Sequence, residues 1–313
     1  FQDAGENRRS IEFLRQAKKD GTLGVRLYIM LAGDDRPLVN EWLKKGPEID
    51  SSNMLTIRSI KLYCDGALGS RGAWLLEPYT DRSDFHGMAT ISMDSVLSIS
   101  RKALKAGFQV CSHAIGDRAN KEILDRYEIA IKENPEAKDH RFRIEHAQHL
   151  QPTDIPRFGQ LGVIPAMQAI HLSSDRPWAI ERLGEKRIKE GAYMWQSLLK
   201  SGAVVVNGTD VPVEPINPIA SFFASVTRQT LAGEPTGGYE PEEKMTRVQA
   251  LRSYTLDAAY GAFEEKIKGS IAPGKLADFT VFSQDLMTIP DTKILSTEVA
   301  MTILGGKVLY EKK

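Results

Sequence analysis

The chain has 313 residues, 42% hydrophobic and 26% charged, with 41 Lys and Arg set against 41 Asp and Glu. That length supports a substantial core, and the zero formal charge supplies no global field toward nucleic acid or an anionic membrane. No apolar run approaches the roughly 20 residues of a membrane span, and two cysteines, Cys64 and Cys111, build neither a disulfide framework nor a CxxC zinc site.

Along the chain, short apolar runs alternate with helical patterns. Phe1–Asp3 reads as the tail of a strand already under way, with a helical pattern over 7–19 behind it. Strands are predicted at 25–31 (VRLYIML), 57–63 (IRSIKLY), 108–113 (FQVCSH), 141–146 (RFRIEH), 161–168 (LGVIPAMQ) and 203–208 (AVVVNG), each bounded by Gly, Pro or polar residues. Helices are predicted between them at 37–45, 93–106, 117–132, 153–160 and 193–201, with Asp117 as an N-cap. Two more follow at 219–231 and 246–262, the second capped by Thr246.

Strand–helix alternation of this kind predicts a parallel sheet with crossover helices. Six strands and the Phe1–Asp3 tail fall one short of an eight-stranded closed (β/α)8 barrel of the TIM type. An open doubly wound sheet is the alternative, yet no GxGxxG follows any strand. The tail differs. Runs at 277–282, 299–304 and 307–311 have no helices between them, and Gly305-Gly306 is a two-residue hairpin signal. We therefore expect a barrel over 1–265 and part of a small β-sandwich over 266–313.

Functional groups of a parallel barrel gather at the carboxyl ends of its strands. Lys61 lies within an apolar strand, with Asp65 just beyond it and of the same parity. The bland reading is a lysine paired with that aspartate. His113 and His146 each end a strand, and Asp210 follows the strand at 203–208. A single strand-end histidine is more often structural than a ligand. Two histidines, a lysine and an aspartate converging on one mouth suit a divalent metal such as zinc.

The ordered series KLYCDGALGSRGA, SHAIGDRA, RIEHAQ, NGTDVPVEP and GSIAPGKLADFTVF resembles the amidohydrolase superfamily, most closely the YtcJ-like metal-dependent hydrolases of the amidohydrolase-3 group. The resemblance runs from Phe1 to the C-terminus. It implies that Lys61, His113, His146 and Asp210 hold one or two divalent ions, zinc suiting them best, with Lys61 open to carboxylation by CO2 as a bridge. It also implies that Asp210 is the general base toward a metal-activated water. Asp65 and Arg71 are then expected either to support the ligands from behind or to contact the substrate, and His171 at the mouth, where it would polarise a carbonyl. The implied reaction is hydrolysis of a C–N bond other than a peptide bond, in an amide, an N-acyl or N-formyl amine, or a related cyclic compound. The family's opening strand carries an HxH pair that this sequence lacks. The FQDAG start resembles the end of strand two in relatives, so strand one and half of the sandwich are expected to precede Phe1.

Two rivals remain at this point. One is a metal-free glycosidase using Asp65 and Glu145 as paired carboxylates; the other is a barrel scaffold or regulator with an incomplete, inactive site. A small-molecule substrate is expected, with neither nucleic acid nor membrane as partner, and a homo-oligomer stays open. The compartment expected is cytoplasmic, although a targeting peptide upstream of Phe1 would lie outside this sequence. Trp42, Trp178 and Trp195 read as core residues. The run Glu240–Lys244 reads as a solvated loop, and Asp175, Arg176 and Trp178 as a loop over the pocket.

Overall fold

β4 (Leu55–Tyr63) shows why the sheet is parallel: Leu55, Thr56, Ile57, Ser59, Ile60, Lys61 and Leu62 are all buried, on both faces of the strand. Alternation is lost because both faces of the sheet are covered. The computed structural model describes residues 1–313. Its main sheet runs β1 (Gln2–Glu6), β2 (Leu27–Ala32), β4, β5 (Gln109–Ala114), β6 (Arg143–His146), β7 (Ile164–Met167) and β8 (Val206–Asn207), each neighbour parallel. A short β3 (Glu48–Ile49) adds antiparallel to β4. Seven parallel strands in chain order curl into a half-barrel of the TIM type, as the alternation predicts. β1 and β8 do not pair with each other. Instead Gln2 links β1 inward, donating to the Ala258 carbonyl at 2.7 Å and accepting from the Arg143 guanidinium.

The helices are α1 (Arg8–Lys19), α2 (Arg36–Lys45), α3 (Met93–Ala106), α4 (Asp117–Lys132), α5 (Ile155–Leu161), α6 (Ile170–Gly191), α7 (Trp195–Lys200), α8 (Pro218–Thr227), α9 (Arg247–Tyr254) and α10 (Leu256–Gly261). Their ends follow local chemistry. Ser92 caps α3, which stops at Gly107 in the left-handed region, φ 77°. Thr246 and Gln249 form a full capping box on α9.

Four expectations are corrected. The helix predicted over 246–262 breaks at Thr255 into α9 and α10. Gly116 is the N-cap of α4, and Asp117 is its first residue, accepting from Leu76 N at 2.9 Å. Asp175, Arg176 and Trp178 lie in α6, a 22-residue helix whose internal Pro177 and kink at Gly184 hide it from periodicity. Glu243, expected in a solvated loop, is 4% exposed and accepts from Ser197 N at 3.0 Å. The core reading of Trp42 and Trp195 holds, since both are buried.

β9 (Phe279–Phe282), β10 (Val299–Leu304) and β11 (Lys307–Glu311) form an antiparallel sheet in the order β11-β10-β9. Gly305 and Gly306, at φ 57° and 81°, make the two-residue turn that joins Leu304 to Lys307. A bidentate pair anchors this sheet to the half-barrel, with Arg26 donating to both Asp278 oxygens at 2.6 and 3.0 Å.

Candidate metal centre

The register aligns the ends of the strands. Tyr63 stands opposite His113, and Ala114 opposite His146, while Met167 pairs with Asn207. Side chains leaving these positions therefore share one level of the half-barrel. His146 and Ala147 take φ of 75° and 42°, which breaks the strand's alternation where β6 ends.

Three groups converge there. One ligand atom each from His146, His171 and Asp210 lies within 4.8 Å of the others. His171 Nε2 stands 3.4 Å from Asp210 Oδ2, and the His146 and His171 rings stack with centroids 5.8 Å apart. His113 meets His146 edge-on at 4.5 Å. His146 and His171 are held from behind. Gln168, just after β7, bonds His146 Nδ1 through its Oε1 at 2.7 Å, leaving Nε2 as the free ring nitrogen. Asn207, at the end of β8, accepts from Ala169 N at 3.1 Å and donates to Ser253 at 3.0 Å, which fixes the start of α6 and thus His171.

Lys61 is buried and makes no hydrogen bond or ion pair; its Nζ sits 5.0 Å from the Tyr63 ring centre. Burial pushes its amine below the ordinary lysine range, opposed by the carboxylate of Glu145. Burial also pushes His146 well down, helped by His113, Lys61 and His171 around it. A neutral imidazole with a free nitrogen is the form that ligates metal.

The residues present fit a divalent cation. The Nε2 atoms of His113 and His171 are buried without a hydrogen-bond partner. An orphaned buried polar atom costs about 1–3 kcal/mol, so the one on His171, beside Asp210, calls for a ligand, whereas that of His113 faces Asp65 at 3.3 Å. Two imidazoles and a carboxylate suit zinc-like ions.

The expected site residues fall into three sets. His146 and Asp210 come together as expected, joined by His171, which the sequence reading placed at the substrate. His113 and Lys61 border this group. Asp65 and Arg71 are taken up elsewhere. Asp65 has a fully buried side chain that accepts from Trp74 N at 2.9 Å, Ile115 N at 3.0 Å and Gly116 N at 2.8 Å, with His113 Nε2 at 3.3 Å. Of the two expected roles, these bonds are those of support: the carboxylate pins the turn after β5. Arg71 pairs with Asp81 at 2.8 Å and makes no hydrogen bond or ion pair to the histidines. The glycosidase pairing also fails, because Glu145 is engaged bidentately by Arg143 at 2.7 and 2.9 Å. Gln168 and Asn207 were missed, although both stand at strand ends, the position that singled out the histidines.

The amidohydrolase family profile (Amidohydro_3) matches residues 2–310. The chain is 38% identical over 268 residues to Protein LONG AFTER FAR-RED 3 of Arabidopsis thaliana, covering 86% of this chain and 45% of that protein. It is 34% identical over 254 residues to Putative amidohydrolase YtcJ of Bacillus subtilis, covering 81% and 47%. With N-substituted formamide deformylase of Arthrobacter pascens it shares 26% over 317 residues, covering 99% and 57%. The chain thus spans about half the length of the curated relatives it matches. Among solved structures, an uncharacterised metal-dependent hydrolase from Pyrococcus horikoshii OT3 superposes with a TM-score of 0.81 at 28% identity, covering 93% of this chain and 57% of that one. No helix is long and apolar enough to cross a membrane. With the profile spanning nearly every residue and strand-end groups suited to a metal, this chain belongs to the amidohydrolase family.

Proposed function

We propose that this chain carries the larger part of a metal-dependent hydrolase site that cleaves a C–N bond other than a peptide bond, in an amide or in an N-acyl or N-formyl amine. The observation that carries the reading is the convergence of His146, His171 and Asp210, with buried unpaired nitrogens on His113 and His171. The named activity of the formamide deformylase relative agrees with it. His146, His171 and Asp210 would hold the ion, zinc by the donor set, with His113 and Lys61 at its border. When bound, such an ion supplies Lewis acidity toward a water and toward the scissile carbonyl.

The chain's own groups do the rest. Asp210, with its side chain 32% exposed, is the carboxylate placed to take a proton and return it to the departing amine. His171 Nε2 stands 3.4 Å from it without a hydrogen bond, which leaves both groups open to one ion. Gln168 keeps the His146 ring in one orientation. Lys61, unpaired and less basic than usual, is the amine that CO2 would carboxylate.

Hydrolysis of a panel of N-formyl and N-acyl amines, with and without zinc, tests this. We expect zinc-dependent turnover that falls by about 100-fold or more in Asp210→Asn and in His146→Ala. Turnover that survives a chelator, or both substitutions, contradicts it. An ion held without turnover would assign the chain to the scaffold reading.

A further inference from the structure

We propose that the cavity beside Tyr63 receives the non-reacting end of the substrate, and that it takes an aromatic ring bearing a single carboxylate. The inference rests on the reading of His146, His171 and Asp210 as the reaction centre. The cavity measures about 370 Å³ and is lined by Gly33, Asp34, Arg36, Leu62, Tyr63, Thr90 and Ile91. Those residues follow β2, end β4 and precede α3, so the cavity opens at the same edge of the half-barrel as His113 and His146. At about 30 Å³ per liquid water, it has room for about a dozen waters, which is ample for a benzoate-sized group.

Tyr63 is the wall shared with the metal centre. Its ring lies 5.8 Å from the His113 ring and 5.0 Å from Lys61 Nζ, so a substrate spanning both sites crosses it. The residue is 49% exposed and its hydroxyl makes no hydrogen bond. An aromatic ring, with Leu62 and Ile91 beside it, is a surface that another flat ring covers well. The far wall is held firmly, because Thr90 donates from its hydroxyl to the Tyr63 carbonyl at 2.6 Å and from its N–H to Cys64 O at 3.0 Å.

Arg36 supplies the charge. It is half-buried, and its guanidinium makes no ion pair, hydrogen bond or ring contact. By contrast, Arg26, Arg101, Arg141 and Arg143 are each bidentate to a carboxylate. An unpaired guanidinium on a residue that lines the cavity presents the planar fork that carboxylates match. Asp34 lines the same cavity and is exposed, so its repulsion of one carboxylate is screened by water, while a second carboxylate would find no further cation among the lining residues.

Binding of 4-acetamidobenzoate, acetanilide and 4-acetamidobenzylamine to this chain, measured by calorimetry, tests the assignment. We expect the carboxylate to bind about tenfold or more tightly than the neutral ring, and the amine most weakly. Arg36→Gln, with an unchanged thermal melt, should erase that preference, while Tyr63→Ala should weaken both the carboxylate and the neutral ring. Equal binding of the three probes, no measurable binding, or a preference that persists in Arg36→Gln overturns the proposal. Repeating the series in His146→Ala separates the two readings. An Arg36-dependent preference in a chain that fails to hold zinc even as wild type leaves this subsite standing and removes the metal reading; zinc retention with no role for Arg36 does the reverse.

Discussion

Replacing Asp65 removes a carboxylate that satisfies three backbone donors at once: Trp74 N, Ile115 N and Gly116 N, all within 3.0 Å. Asp65→Ala leaves those N–H groups without their acceptor in a site where the side chain is fully buried. At about 1–3 kcal/mol for each unsatisfied buried donor, and with partial relaxation, the loss comes to about 4 kcal/mol. Asp65→Asn keeps one oxygen, which can serve Trp74 N and Gly116 N together, while its amide then opposes Ile115 N. Roughly half the loss, about 2 kcal/mol, is expected. The cavity term adds to the alanine variant alone. Urea unfolding followed through the fluorescence of the four tryptophans gives both values at constant slope. A cost below about 1 kcal/mol for Asp65→Ala, or a larger cost for Asn than for Ala, would refute the claim that this carboxylate holds the turn after β5.

Two further predictions concern buried and bridging charge. Arg143→Met strands Glu145, 7% exposed, without its bidentate partner and should cost about 3–5 kcal/mol, whereas Arg143→Met with Glu145→Leu should cost less; a double variant at least as unstable as the single one contradicts this. Burial raises the Asp278 carboxyl, yet Arg26 and the Gly305 N–H outweigh it and hold the group below its ordinary value. Its contribution is therefore fully present above the unfolded carboxylate pKa of about 3.9 and is lost as pH falls through the lower folded value. The stability gap between wild type and Asp278→Asn should shrink as pH falls from 6 toward about 2, and a gap constant over that range would show that the pair does not contribute through its charge.

Much of this architecture was legible because a parallel sheet imposes a strong pattern. The apolar runs at 25–31, 57–63 and 108–113 read as strands and form β2, β4 and β5, since a strand covered on both faces has few other compositions. Gly305-Gly306 read correctly because φ above zero at two successive positions favours glycine. α6 was not legible. Pro177 and Gly184 break the local rules, and tertiary packing keeps the helix together across them. His171, expected at the mouth, sits in the first turn of α6, anchored through Asn207 and Ala169. Asp65 misled for a different reason. Its parity with Lys61 says which way a strand residue faces, but Asp65 lies beyond the strand, where backbone donors decide what the carboxylate does.

The central claim is that His146, His171 and Asp210 form a metal centre, and bound zinc per chain tests it most directly. Purified chain equilibrated with zinc and then dialysed should retain the ion, and His146→Ala, His171→Ala and Asp210→Asn should each lower the affinity by about tenfold or more, with thermal melts unchanged when no metal is added. Retention of zinc at wild-type affinity by all three variants, or no retention by the wild-type chain, would contradict the account.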